Sequence, residues 1–93
     1  MNTKHAEGKS KGSILLLTLS TCIWCRRTKQ LLADLGIAYD YVDIDLAEGL
    51  DKDEAVAILE RWNPDRSFPT MIINDEHCII GYQADQITEV LGA

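Results

Sequence analysis

Two cysteines separated by two residues, Cys22 and Cys25, are the residues in this chain best suited to chemistry. The apolar run from Ile14 to Leu19 ends just before them and a helical pattern begins just after them, so Cys22 is expected where a strand gives way to a helix. A helix N terminus presents unpaired N–H groups and a partial positive charge, which favour a thiolate over a thiol. We therefore predict that Cys22 is a nucleophile.

The second cysteine begins a stripe of residues with helical spacing. Cys25, Thr28, Leu32 and Leu35 follow one another at intervals of three and four, so they lie on one face of a helix predicted over residues 23–35. Gly36 suits the left-handed position that ends such a helix. Cys25 is then expected to be the buried partner of Cys22.

Basic residues follow the cysteine pair along the same helix. We expect Arg26 and Arg27 to add electrostatic stabilisation to the thiolate of Cys22. For Arg26 and Lys29, a solvated helix face is the alternative interpretation.

The length of 93 residues fits one domain, which we place at residues 13–93. Residues 1–12 are polar and without apolar periodicity, so they are predicted to be a flexible leader without chemistry. The apolar runs are too short for a membrane span or a signal peptide, so a cytoplasmic protein is expected. In a reducing compartment a CxxC pair is more often catalytic or metal-binding than structural.

The net charge of −6 argues against nucleic acid as the main partner, because phosphate binding requires a basic face.

The hydrophobic patterns predict the element order βαβαββα. Strands are expected over residues 14–19, 39–45, 70–74 and 77–80. A second helix is expected after the polar loop at Gly49, with Asp51 and Glu54 as a capping pair and an apolar stripe of Ala55, Ile58, Leu59 and Trp62. It should end at Asn63-Pro64. The last helix carries Ile87, Val90 and Leu91.

Three motifs in this order resemble the glutaredoxins: the CxxC after the first strand, Pro69 opening the third strand, and the turn Gly81-Tyr82 before the final helix. The resemblance covers residues 14–92. It implies an α/β, thioredoxin-like fold with a four-stranded mixed sheet flanked by three helices. It also implies a cis peptide bond at Phe68-Pro69, with Ser67, Phe68 and Pro69 forming one wall of a substrate site beside the reactive sulfur.

The chain also departs from glutathione-using glutaredoxins. It has Leu19 where they usually carry a lysine, and Gln83-Ala84 where they usually carry acidic residues. Gly81-Tyr82 followed by Asp85 looks more like the turn of NrdH-type redoxins, which donate electrons to ribonucleotide reductase and are usually reduced by thioredoxin reductase. Arg66 lies where some glutaredoxins hold glutathione, so that alternative stays open.

The resemblance implies a thiol-disulfide oxidoreductase that works as a monomer. Cys22 attacks a protein disulfide, Cys25 resolves the mixed disulfide, and a protein reductase or glutathione restores the pair. The redox-active disulfide Cys22–Cys25 serves in place of a bound cofactor. Trp24 is either a flat face for partners or a packing residue.

Other kinds of function are open to the same residues. Cys22 and Cys25 with His77 and Cys78 supply four potential zinc ligands, although Cys78 also fits a small apolar strand residue. Some glutaredoxins instead hold an iron–sulfur cluster between two protomers, using the first cysteine and glutathione. A purely structural interaction domain would have no use for the CxxC.

Overall fold

The computed structural model describes residues 1–91 of the chain. Its strands are β1 (Lys4–Ala6), β2 (Ile14–Thr18), β3 (Tyr39–Asp43), β4 (Thr70–Ile73) and β5 (His77–Ile80). Its α-helices are α1 (Ile23–Leu35), α2 (Gly49–Trp62) and α3 (Ala84–Leu91), and a short 3₁₀ helix, Ile44–Leu46, follows β3.

The central strand of the sheet is β2, whose apolar sequence suits burial on both faces. The strand order is β1-β3-β2-β4-β5, with β2 and β3 parallel and the other pairs antiparallel. The sheet is mixed and three α-helices accompany it, as expected, but it has five strands and not the four predicted. The parallel crossover through α1 brings the ends of β2 and β3 to the same edge of the sheet.

The additional strand comes from the segment interpreted as a flexible leader. β1 pairs with β3, and the side chain of His5 lies 2.7 Å from that of Asp40. Lys9 also binds this segment to the rest of the domain, since its N–H donates to Gly36 O at 2.7 Å and its carbonyl accepts from Ala38 N at 2.9 Å. The expectation of a flexible leader is therefore wrong for these residues, because the open edge of β3 offers backbone groups that even a polar segment can satisfy.

Successive residues of β2 point to opposite faces of the sheet and belong to two hydrophobic clusters. Leu16 packs with Leu32 of α1 and Ile87 of α3, whereas Leu17 packs with Leu59 of α2. Both leucines of β2 are fully buried. This layering fixes α1 against the sheet, and with it the cysteine pair at its N terminus.

The predicted helix over residues 23–35 is confirmed at both ends, and Gly36 adopts the left-handed conformation with φ 69°. The second helix differs, because it begins at Gly49 with Glu48 as N-cap and no side-chain cap. Asp51 and Glu54 are therefore not a capping pair. The carboxylate of Asp51 accepts from Asn2 N at 3.4 Å instead.

The remaining boundaries follow the predictions closely. Strand β3, predicted over residues 39–45, ends at Asp43, two residues earlier than expected, because the chain turns into the 3₁₀ helix. In α3, Ile87 and Leu91 are buried, whereas Val90 is 43% exposed. Among residues 1–91, no helix is both long and apolar enough to cross a membrane.

Candidate active site

Cys22 is the N-cap residue of α1, as predicted, with extended backbone angles of φ −85° and ψ 119°. Its Sγ accepts a hydrogen bond from the backbone N–H of Cys25 at 3.3 Å, and its own carbonyl accepts from Arg26 N at 3.1 Å. The side chain is partly exposed. Cys22 therefore combines access to solvent with a backbone donor aimed at its sulfur.

Cys25 lies three residues further along the helix and is fully buried. Burial raises the pKa of its thiol to about 12, and the hydrogen bond with the Cys22 side chain acts in the same direction. Thr28 and Leu32 share its buried face, so the predicted inward stripe is confirmed. At neutral pH the two cysteines have different roles available, because Cys25 keeps its proton.

The basic residues of α1 divide between two environments. Arg26 and Arg27 are exposed, and the guanidinium carbon of Arg27 lies 5.3 Å from the centroid of the Trp24 ring. Lys29 is not on a solvated face, since its side chain is only 25% exposed and its Nζ lies 3.1 Å from Asp43 Oδ1. Stabilisation of the thiolate by Arg26 and Arg27 stays a prediction.

The carboxylate of Asp43 links Lys29 of α1 to the end of β2. It accepts hydrogen bonds from Lys29 and from the hydroxyl of Thr18, which is fully buried at the end of β2. The sequence interpretation missed this link, because residues 18, 29 and 43 lie far apart along the chain. The only signal of this link in the sequence was an acidic residue, Asp43, near the end of a predicted strand.

An aromatic pair borders the cysteines on the exposed side. The rings of Trp24 and Tyr82 are stacked with centroids 5.7 Å apart. Trp24 is 51% exposed, which favours a partner-facing surface over a packing role. Gly81, with φ 84°, donates its N–H to Pro69 O at 2.8 Å. The predicted turn and the predicted proline are thus adjacent in space.

The segment Ser67-Phe68-Pro69 leads into β4 beside this turn, and the Phe68-Pro69 peptide bond is cis, as the resemblance implied. Asn63 holds the segment in place from the end of α2. Its Nδ2 donates to Ser67 O at 3.0 Å, to Ser67 Oγ at 2.9 Å and to Thr70 Oγ1 at 3.0 Å. The sequence identified Asn63 only as a helix end, and its position a few residues before Pro69 was the available signal.

Arg66 precedes this segment in a left-handed conformation with φ 55°. Its guanidinium pairs with the carboxylate of Glu60, and both side chains are about half exposed. A role for Arg66 in binding glutathione stays a prediction.

The third cysteine lies on β5 and is half-buried, as expected of a small strand residue. Cys78 Sγ lies 3.9 Å from Trp62 O, and burial raises the pKa of its thiol.

Over residues 1–91 the structure contains no group of three or more histidine, cysteine or acidic side chains that could hold a metal ion. In the described residues, Cys22, Cys25, His77 and Cys78 are therefore not gathered into one cluster.

Comparisons with known proteins agree with this geometry. The glutaredoxin family model matches residues 14–78. The glutaredoxin of Methanosarcina mazei Go1 is 47% identical, with a TM-score of 0.90 over 98% of this chain and 88% of its own. Methanoredoxin of Methanosarcina acetivorans is 48% identical, with a TM-score of 0.87 over 92% of this chain and 90% of its own.

A glutaredoxin-like protein of Escherichia coli, NrdH-redoxin, has a TM-score of 0.70 over 87% of this chain and 97% of its own. At 22% identity this likeness is one of fold alone. The chain has a thioredoxin fold with a CxxC pair at the start of its first long helix, and the family model matches most of its length. It therefore belongs to the glutaredoxin family of thiol-disulfide oxidoreductases.

Proposed function

We propose that this glutaredoxin reduces protein disulfides through a dithiol mechanism, with Cys22 as nucleophile and Cys25 as resolving residue. The observation that carries the proposal is the contrast between the two sulfurs. One is partly exposed and accepts a helix N–H at 3.3 Å, whereas the other is buried with a pKa of about 12. Thiol-disulfide exchange requires such an accessible attacking thiolate.

The steps follow from ordinary exchange chemistry. The Cys22 thiolate attacks one sulfur of the substrate disulfide, the S–S bond breaks, and the other substrate sulfur leaves as a thiolate. Cys25 then loses its proton and attacks Cys22 Sγ, which releases the first substrate sulfur. The substrate has gained two electrons, and the Cys22–Cys25 disulfide takes two electrons from a reductant to restart the cycle.

A protein substrate fits the surroundings of Cys22. Ile23 is 57% exposed and Trp24 51% exposed, and the Trp24 ring is extended by its stack on Tyr82. Exposed aromatic residues are enriched at protein interfaces. On the other side of the site, Ser67 to Pro69 offers backbone groups to an extended segment of the partner, as in strand addition to a sheet edge.

A protein reductase is the preferred electron source. Glutathione carries two carboxylates and an amine, and each charge-assisted contact to it contributes about 1.5–3 kcal/mol. Here Leu19 supplies no cation, and Gln83-Ala84 supply no anion. Loss of two such contacts weakens binding by about a hundredfold or more. We therefore place the protein near the NrdH-type redoxins, with ribonucleotide reductase as a candidate electron acceptor.

Glutathione-dependent turnover is the second candidate, and the Arg66–Glu60 pair favours it. Both side chains are about half exposed, and an exposed ion pair contributes little stability. The guanidinium can therefore leave Glu60 for a glutathione carboxylate at small cost.

Two coupled assays decide between these electron sources. In the first, glutathione and glutathione reductase drive reduction of a mixed disulfide; in the second, NADPH and thioredoxin reductase drive reduction of insulin. We expect poor turnover in the first assay and good turnover in the second. Cys22→Ser is the blank for both, and Leu19→Lys with Gln83→Asp should raise the rate of the first. A wild-type rate with glutathione equal to that of an ordinary dithiol glutaredoxin would assign the protein to the glutathione-dependent branch.

A further inference from the structure

A short turn carries the chain from β2 to Cys22, and one carboxylate holds it. Ser20 lies in the middle of this turn. Its backbone N–H donates to Asp45 Oδ1 at 2.9 Å, and its hydroxyl donates to Asp45 Oδ2. Both oxygens of one side chain are therefore engaged by a single residue that lies two positions before the nucleophile.

Asp45 comes from the 3₁₀ helix that follows β3, so its position is fixed by the sheet and not by the turn. The 3₁₀ helix is closed by Ala47 N, which donates to Asp43 O and Ile44 O at 3.2 Å each. Asp43 in turn binds the Thr18 hydroxyl at the start of the turn. At the other end, Cys22 N donates to Leu19 O at 3.2 Å.

The Asp45 carboxylate is exposed, so its charge remains hydrated while it accepts these hydrogen bonds. The hydroxyl of Ser20, and then its N–H, hold the pKa of this carboxyl below its usual range. Asp45 is therefore ionised at neutral pH, in the form that accepts from both groups of Ser20.

We propose that Asp45 is a positioning residue for Cys22: by clamping Ser20 it fixes the turn that holds the Cys22 sulfur against the N terminus of α1 and open to the incoming disulfide. This inference rests on the nucleophilic role proposed for Cys22. It goes beyond that role because it assigns the position of the Cys22 sulfur to the side chain of Asp45, which follows β3 at the far end of the parallel crossover.

Charge and positioning predict opposite effects for removal of Asp45. A negative charge near a thiolate opposes its formation, so if Asp45 acted through its charge alone, its removal would speed the reaction of Cys22 below neutral pH. If Asp45 acts by clamping the turn, its removal lets Cys22 leave the helix N–H and slows the reaction. The direction of the change therefore separates the two roles.

The test uses the full chain with Cys25→Ser and Cys78→Ser, so that Cys22 is the single thiol. Stopped-flow absorbance follows its attack on the disulfide of 5,5′-dithiobis(2-nitrobenzoate) between about pH 5 and pH 9, where the released thiolate reports one Cys22–reagent disulfide formed. Asp45→Ala, Ser20→Ala and their combination are compared in this background. Asp53→Ala, which removes an exposed carboxylate of α2, is the matched control.

Asp45→Ala should lower the rate constant at pH 7 about tenfold, the scale of one charge-assisted hydrogen bond. Ser20→Ala keeps the N–H contact and the charge, so it should lower the rate about threefold. The double variant should be no slower than Asp45→Ala within about twofold, because both changes break the same clamp. Asp53→Ala should stay within about twofold of the parent.

An unchanged or faster rate in Asp45→Ala overturns the proposal, as does full additivity of the two single losses. Far-UV circular dichroism establishes that each variant is folded. If Asp45→Ala does not fold, Ser20→Ala decides alone, and a rate equal to the parent's overturns the clamp. Insulin reduction by the unmodified chain is measured separately: its absence would contradict the proposed function, while the reagent rates would still decide the role of Asp45.

Discussion

At the scale of single residues, the site depends on two cysteines whose environments differ more than their sequence spacing suggests. Cys22 lies at the helix end, partly exposed, with an N–H donor 3.3 Å from its sulfur. Cys25, one turn later, is inside the molecule. The sequence predicted this contrast because Cys25 begins the inward stripe that continues through Thr28 and Leu32, whereas Cys22 comes before the first residue of the helix.

The raised pKa of Cys25 predicts a loss of stability in alkali. The thiol ionises near its ordinary value of 9.0 in the unfolded chain and near 12 in the folded reduced protein. The stabilisation is therefore complete below about pH 9 and is lost as pH rises toward 12, at about 1 kcal/mol between pH 8 and pH 10. Urea unfolding of the reduced protein at these two pH values measures it.

Cys25→Ala is the control for this titration. The variant is less stable overall, but its free energy of unfolding should fall by about 1 kcal/mol less than that of the wild type over the same pH range. Equal slopes for both proteins would show that Cys25 ionises at the same pH folded and unfolded.

At the scale of elements, the sequence was enough to predict a helix or a strand wherever the segment has its own apolar pattern or a residue that marks its end. The bounds of α1 follow from the apolar stripe and from Gly36, and those of β4 and β5 follow from Pro69 and from two short apolar runs. β1 was missed because Lys4 to Ala6 has no apolar pattern and pairs with a strand some 35 residues away. Asn63 was missed for a similar reason: its three acceptors become visible only once the chain has turned back.

Asn63 should make a large contribution to the segment that forms one wall of the site. Asn63→Ala removes the buried donor that Ser67 and Thr70 share, so we expect the free energy of unfolding to fall by about 2–3 kcal/mol. Insulin reduction should fall as well, because the segment before β4 loses its anchor. Urea unfolding and the coupled assay measure the two effects.

Ser67→Ala is the smaller matched change, since it removes one of the three acceptors of Asn63. It should cost about 1 kcal/mol or less. A loss in Asn63→Ala that is no greater than the loss in Ser67→Ala would show that the asparagine does not hold the segment.

At the scale of the whole molecule, the fold gathers residues from distant parts of the sequence at one edge of the sheet. The order of elements after residue 13 could be predicted, and the resemblance to glutaredoxins identified the cysteines, Pro69 and Gly81. The links made by Asp43 and Asp45 could not, since Asp43 binds Thr18 at the end of β2 and Asp45 binds Ser20 in the turn that follows, each across 25 residues of the chain. Such links depend on the parallel pairing of β2 with β3 and leave no local pattern.

The central claim is that Cys22 attacks and Cys25 resolves, and one trapping experiment tests it most directly. Cys25→Ser removes the resolving thiol, so reaction with native, disulfide-bonded insulin should stop at a mixed disulfide. Non-reducing mass spectrometry of the digested adduct should find the insulin peptide on Cys22, while Cys22→Ser should accumulate no such adduct. An adduct carried by Cys25 in Cys22→Ser, with none on Cys22 in Cys25→Ser, would reverse the two roles and contradict the account.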